Sequence, residues 1–85
     1  MKLFKQVKQI RIKYLVPKIG AWEVIPVVIK VYNDAGNQIA ELVNESKLPG
    51  IHEIEYDVIN LKRGLYFYQV YAGNYVSVRE LIVLK

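Results

Sequence analysis

Apolar and polar residues alternate with a period close to two along most of this chain, the pattern of strands that bury one face. Ile10, Ile12 and Tyr14 are separated by Arg11 and Lys13, which predicts a first strand ending before Pro17. The stretch Pro17 to Gly20 breaks the pattern, and Ala21 to Pro26 reads either as a short edge strand or as a hydrophobic loop. Val27, Ile29 and Val31 then share one face of a second strand, with Lys30 and Tyr32 on the other. Asn33-Asp34-Ala35-Gly36-Asn37 carries turn chemistry: Asx side chains that cap a chain reversal, and a glycine for positive φ. Gln38 to Val43 is the predicted hairpin partner.

After a loop from Asn44 to Gly50, the segment Ile51 to Asp57 alternates strictly, with Glu53, Glu55 and Asp57 on one side and His52, Ile54 and Tyr56 on the other. Asn60 to Gly64 reads as a corner. Leu65 to Ala72, rich in aromatic and branched residues, reads as a central strand. Gly73-Asn74 is a two-residue hairpin signal of the type II′ kind. Tyr75 to Leu84 closes the chain as a long strand whose phase slips near Arg79-Glu80, because Leu81 to Leu84 is continuously apolar; a bulge or burial on both faces is expected there. Six strands follow, with Ala21 to Pro26 as the candidate seventh, spaced as in an all-β antiparallel sandwich. The spacing of Leu3, Phe4, Val7 and Ile10 also suits one short amphipathic helix, but neither a cap nor a stop signal flanks it.

With 85 residues the chain is long enough for one domain and one core. A hydrophobic fraction of 53% argues for a packed fold rather than disorder. Cysteine is absent and histidine occurs once, so disulfides, thiolate metal sites and His-based triads drop out, and no cofactor is expected. The net charge of +4 is uneven, since Lys2, Lys5, Lys8, Arg11, Lys13 and Lys18 all precede the first acid, Glu23. Such an end can favour nucleic acid, but a solubilising role beside a hydrophobic sheet is the plainer reading, and no nucleic-acid partner is expected. Residues 1–9 are set apart as a basic segment and 10–85 as the domain. No apolar run approaches the roughly 20 residues that span a bilayer. The opening MKLFKQVKQIRIK lacks the apolar region of a secretory signal, so export would rely on a longer parent protein.

The candidate chemistry is thin. Glu53, Glu55 and Asp57 lie about 7 Å apart along one strand face, and a solvated face opposite Lys30 or another cross-strand base explains them better than a calcium site. His52 is in phase with Ile54 and Tyr56, so it is expected to be a partly buried, hydrogen-bonded packing residue. Neither Ser46 nor Ser77 sits in a nucleophile context, and the chain is not expected to be an enzyme. Tyr66, Tyr68 and Val70 share one strand face, with Phe67 and Tyr71 on the other. Packing explains these aromatics better than base or sugar stacking, since the cations cluster elsewhere. Tyr66 follows a corner containing Gly64 and stands two residues before inward Tyr68. Immunoglobulin-like sandwiches place a tyrosine corner at such a position, its hydroxyl bonded to the upstream backbone with Leu61 beneath the turn.

Three ordered motifs and a terminal strand carry a family resemblance. The first is carried by Lys30, Val31, Tyr32, Asn33, Gly36, Ile39 and Leu42; the second by Gly50, His52, Ile54, Tyr56 and Asp57; the third by Leu61, Gly64, Leu65, Tyr66 and Tyr68; the last is Leu81 to Lys85. In this combination the chain resembles the type A C-terminal sorting domain of type IX secretion cargo over Ile10 to Lys85. The flagellar hook-capping immunoglobulin-like domain is similar. The family's usual Asn-Pro-Phe-like opening is replaced here by MKLFKQVKQ, and Ala21 to Pro26 is added length. The resemblance implies an immunoglobulin-like sandwich of about seven strands, in which Lys30, Tyr32, Gly36, Gly50, Gly64, Tyr66 and Tyr68 hold the fold. It also implies a secreted or cell-surface parent protein that passes through the periplasm and is read by an outer-membrane translocon. The terminal strand Tyr75 to Lys85 forms the expected handle, by strand addition, with Leu81, Ile82, Val83, Leu84 and Lys85 as its recognised residues. The alternative is a stand-alone adhesion or scaffold domain binding protein or glycan, and the apolar terminal strand also admits a homodimer through edge strands.

Overall fold

The structure, a computed structural model, describes residues 8–84. Six strands follow one another: β1 (Gln9–Val16), β2 (Ile25–Asn33), β3 (Gln38–Lys47), β4 (Gly50–Asp57), β5 (Gly64–Ala72) and β6 (Tyr75–Val83). They form two antiparallel sheets, a pair β1-β4 and a four-stranded sheet in the order β3-β2-β5-β6. The arrangement is all-β and sandwich-like, because the alternation on each strand leaves one apolar face, and the two sheets bury those faces on each other.

The inward columns are Ile12, Tyr14 and Val16 on β1, Ile25, Val27, Ile29 and Val31 on β2, Tyr66, Val70 and Ala72 on β5, and Leu81 and Val83 on β6, all buried. One cluster joins Tyr14 and Val16 to Ile25, Val27, Ile29, Val43, Val70 and Ala72. A second joins Val31, Val58, Tyr66, Leu81 and Val83. Leu42 and Tyr68 pack against both and make the core continuous. Fully burying one such aliphatic side chain stabilises by roughly 1.5–3 kcal/mol. No polar or charged residue among those described is buried, so the core asks for no internal ion pair.

Several expectations are corrected. The strand count is six, not seven: Ala21 to Val24 is turn and bend, and Ile25 and Pro26 belong to β2. Gly20, at φ +50°, turns the chain there, and the Trp22 amide donates to the Ile19 carbonyl at 3.0 Å. The terminal strand carries no bulge, since β5 and β6 stay in one register from Gly64↔Val83 to Ala72↔Tyr75. Its continuous apolar run is instead split between two environments: Leu81 and Val83 are 6% and 1% exposed, Ile82 and Leu84 60% and 67%. The register shifts lie between β2 and β3, where Leu42 and Ile39 have no residue opposite them. An extra residue there lets consecutive Leu42 and Val43 both turn inward. Strand β3 also runs on to Lys47, shortening the loop expected from Asn44 to Gly50. Strand β1 starts at Gln9, and Ile10 is extended; residues 1–7 of the basic segment, with Leu3, Phe4 and Val7 of the alternative helix, lie outside the described residues.

Two hairpins carry the expected turn chemistry. Asn33 Oδ1 accepts the amides of Ala35 at 3.1 Å and Asn37 at 2.9 Å, while Gly36 takes φ +86°. Gly73, at φ +63°, makes the two-residue turn between β5 and β6, where any Cβ would lie 2.5 Å from Ile19 Cδ1 and 3.3 Å from Ile25 Cγ2. Both glycines meet the left-handed penalty of about 1–2 kcal/mol, but only Gly73 adds a steric cost, because space at Gly36 is open. Gly73→Ala is therefore expected to destabilise by about 1 kcal/mol more than Gly36→Ala, read as the difference between their urea midpoints. Equal midpoints would show that the Gly73 turn does not touch the core.

Candidate functional site

The corner before β5 is built by short-range hydrogen bonds. Asp57 Oδ1 accepts the Ile59 amide at 3.0 Å, and the Leu61 amide donates to the Val58 carbonyl at 3.0 Å. Val58 is thereby driven into the second cluster, with Leu61 packed against it. The Tyr66 hydroxyl donates to the Lys62 carbonyl at 2.7 Å, closing the tyrosine corner expected from the sequence. Gly64, at φ +151°, opens β5 opposite Val83, and Tyr68 bridges the two clusters. Tyr56 faces this corner, and its phenol is pushed above the ordinary value by burial, aided by Tyr66 and Asp57.

On the β1-β4 sheet, Arg11 pairs with Glu53 at 2.9 Å and Glu55 at 3.5 Å. The cation opposite those carboxylates is therefore Arg11 and not Lys30, which sits in the other sheet opposite Glu41 and Gln69. Both partners of each pair are solvated, so they contribute little to stability. His52 Nε2 lies 2.7 Å from the Leu48 carbonyl oxygen, and the ring stacks on Tyr14 with centroids 5.6 Å apart. Gly50, at φ +138°, starts β4 opposite Val16. These groups are structural: each has a local partner, and they do not converge on a cleft. No group of three or more His, Asp or Glu among the described residues is placed to hold a metal ion.

The outer face of the four-stranded sheet is different. Its rows run Val28–Tyr71–Val76, Lys30–Gln69–Val78, Tyr32–Phe67–Glu80 and Leu65–Ile82, by the pairing of β2, β5 and β6. A shallow depression of about 290 Å³ beside the Asn33–Gly36 turn is lined by Tyr32, Phe67, Gln69 and Val78. Toward β6 the face is openly apolar: Val76 and Val78 are each 54% exposed, and Ile82 more so. The handle expected from the sequence, Tyr75 to Lys85, spans Val76 and Val78, but the recognition residues expected within it were Leu81 to Lys85. Leu81 and Val83 anchor the strand from within, and Lys85 lies outside the described residues.

A family model described as the secretion system C-terminal sorting domain matches residues 6–84, nearly the whole chain. The chain belongs to that family. No curated protein and no solved structure matches it. A sorting domain is a C-terminal signal for type IX secretion, which places the parent protein outside the cell or on its surface. The family is a non-catalytic secretion signal. Among the described residues no helix is long and apolar enough to cross a membrane.

Two measurements probe the sorting domain's corner. Tyr66→Phe removes the bond to Lys62 and is expected to lower stability by about 1 kcal/mol, with an unchanged slope of the urea transition. For Tyr56, the folded state holds the proton above the ordinary value of 10.0, so the unfolded chain releases it first. Its stabilising contribution is complete below that pH and is lost as pH rises through the higher, folded value. Tyr56→Phe is expected to flatten the alkaline fall in stability, and ultraviolet titration should lose one phenol that ionises above the ordinary value.

Proposed function

We propose that this domain is a recognition and attachment module read by the outer-membrane translocon of type IX secretion, with β6 and the residues after it as the handle. The observation that carries the reading is the placement of β6. Among the described residues it is an edge strand, bonded to β5 on one side and to no strand on the other. In a two-residue hairpin the residues flanking the turn bond to each other, so Ala72 and Tyr75 face one another's backbone and the alternation continues along β6. Val76, Val78, Glu80 and Ile82 then direct their amides to the free edge and their side chains to the open face. An incoming strand would read both at once, which is the geometry of recognition by strand addition.

Within Leu81 to Lys85 the labour is divided. Leu81 and Val83 hold the strand in the core, while Ile82 and Leu84 face solvent and are available to a partner. The sheet order, the tyrosine corner at Tyr66 and the family membership support an immunoglobulin-like version of the sandwich, with residues 10–85 as the domain and Lys30, Tyr32, Gly36, Gly50, Gly64, Tyr66 and Tyr68 as its framework. No comparison favours the free-standing adhesion or scaffold reading.

The test joins the full chain to an exported reporter in a bacterium competent for type IX secretion. Deleting Leu81 to Lys85 is expected to abolish surface delivery, with the reporter retained in the periplasm. Because that deletion also removes core residues, Ile82→Glu and Leu84→Glu supply the cleaner arm. Both are expected to keep the wild-type circular dichroism and urea midpoint within about 0.5 kcal/mol while delivery falls severalfold. Full delivery of the double variant would rule out the terminal strand as the handle.

A further inference from the structure

Among the described residues, the sheet that faces β3-β2-β5-β6 has two strands, where immunoglobulin-type sandwiches carry more. One side of the sandwich is therefore left open. Along it runs a cleft of about 330 Å³ between β1 and the inner face of β6, walled by Lys13, Tyr14, Leu15, Tyr68, Ser77 and Arg79. On β6 the buried column stops at Leu81: Tyr75, whose side chain lines the same cleft, is 62% exposed although it belongs to the inward set. The inner half of β6 thus lacks the covering strand that its C-terminal half does not need.

The backbone of β1 is open along the same cleft. The Val58 amide donates to the Lys8 carbonyl at 2.8 Å, which fixes the side of the strand that faces β4. The β1-β4 register has no shift, so Ile10, Ile12, Tyr14 and Val16 also bond toward β4. Gln9, Arg11, Lys13 and Leu15 point their amides and carbonyls the other way, and no backbone partner within residues 8–84 meets them. Charge then sets the chemistry of an occupant. The cleft holds Lys13 and Arg79 and no carboxylate, and neither cation has an ion-pair partner among the described residues, because Glu53 opposite Lys13 is taken by Arg11.

We infer that the free edge of β1 and the uncovered half of β6 form an acceptor groove for an extended acidic segment of a partner protein, added as a third strand beside β1. Main-chain bonds to Arg11, Lys13 and Leu15 hold it, its inward apolar side chains cover Tyr68 and Tyr75, its outward carboxylates meet Lys13, and Arg79 on the groove wall adds to the positive field that favours an acidic occupant. This groove lies on the opposite side of β6 from the surface assigned to sorting, so either assignment stands or falls without the other.

The test uses the full chain and a fluorescent nine-residue peptide of alternating glutamate and valine. Anisotropy at low salt is expected to give saturable binding at least tenfold tighter than for the lysine–valine counterpart, weakening as salt rises. Methylating alternate peptide amides should abolish it. The double variant Lys13→Glu, Arg79→Glu should reverse the preference in favour of the lysine peptide, while Ile82→Glu leaves it unchanged. Amide exchange at Arg11, Lys13 and Leu15 should be fast in the free chain and slow when the peptide is bound. Equal binding of both peptides, or none, overturns the inference. So does slow exchange in the free chain, which would mean the edge is already paired by residues 1–7 or by a second copy.

Discussion

Strand β2 is hydrogen-bonded along both edges and apolar along its inner face, so its four inward residues are sealed on every side. Ile25, Val27, Ile29 and Val31 are the seeds of both core clusters, which between them draw in side chains from all the other strands. The facing pair β1-β4 has little else to hold it among the described residues: its cross-strand ion pairs are solvated, and it meets the large sheet through Ile10, Ile12, Tyr14, Val16, Ile54 and Tyr56. Without the β2 column the two sheets would have no common interior, and neither would be stable as an isolated ribbon.

How much of this was legible in the sequence depends on the distance over which each feature is encoded. The faces of β2, β4 and β5, the Asn33–Gly36 turn, the Gly73 hairpin and the Tyr66 corner all follow from residues a few positions apart, and each was readable. Features fixed by neighbours far along the chain were not. The run Leu81 to Leu84 looks like double burial or a bulge, yet the structure exposes Ile82 and Leu84 because no third layer covers that face. The register shifts fell instead on β3, an outer strand free to bend, where adjacent Leu42 and Val43 were a signal that went unread. Ala21 to Pro26 is apolar enough for a strand, but Gly20 and the Ile19–Trp22 bond fold it into a turn that packs beside Gly73.

Function was legible only through the ordered motifs, and physics explains why. The family is a secretion signal, and nothing in periodicity or composition separates a recognised surface from an ordinary solvated one. What the fold adds is a reason for particular residues to stay outside. On β6, Leu81 and Val83 are buried while Val76, Val78 and Ile82 stay exposed and apolar. Glu80 interrupts that apolar row, as a charge on an open strand does when it discourages indiscriminate pairing.

The β5-β6 hairpin also has a mechanical side. Because β6 is bonded to a single neighbour in unbroken antiparallel register, tension applied beyond Leu84 loads the Gly64↔Val83 pair first and then each following pair in turn. The strand would peel like a zip, against one pair at a time, up to the Gly73 turn. A molecular motor or a binding partner pulling from that side would detach β6 at modest force, while β2 and β5, clamped in the middle of the sheet, would resist until the whole sandwich gave way.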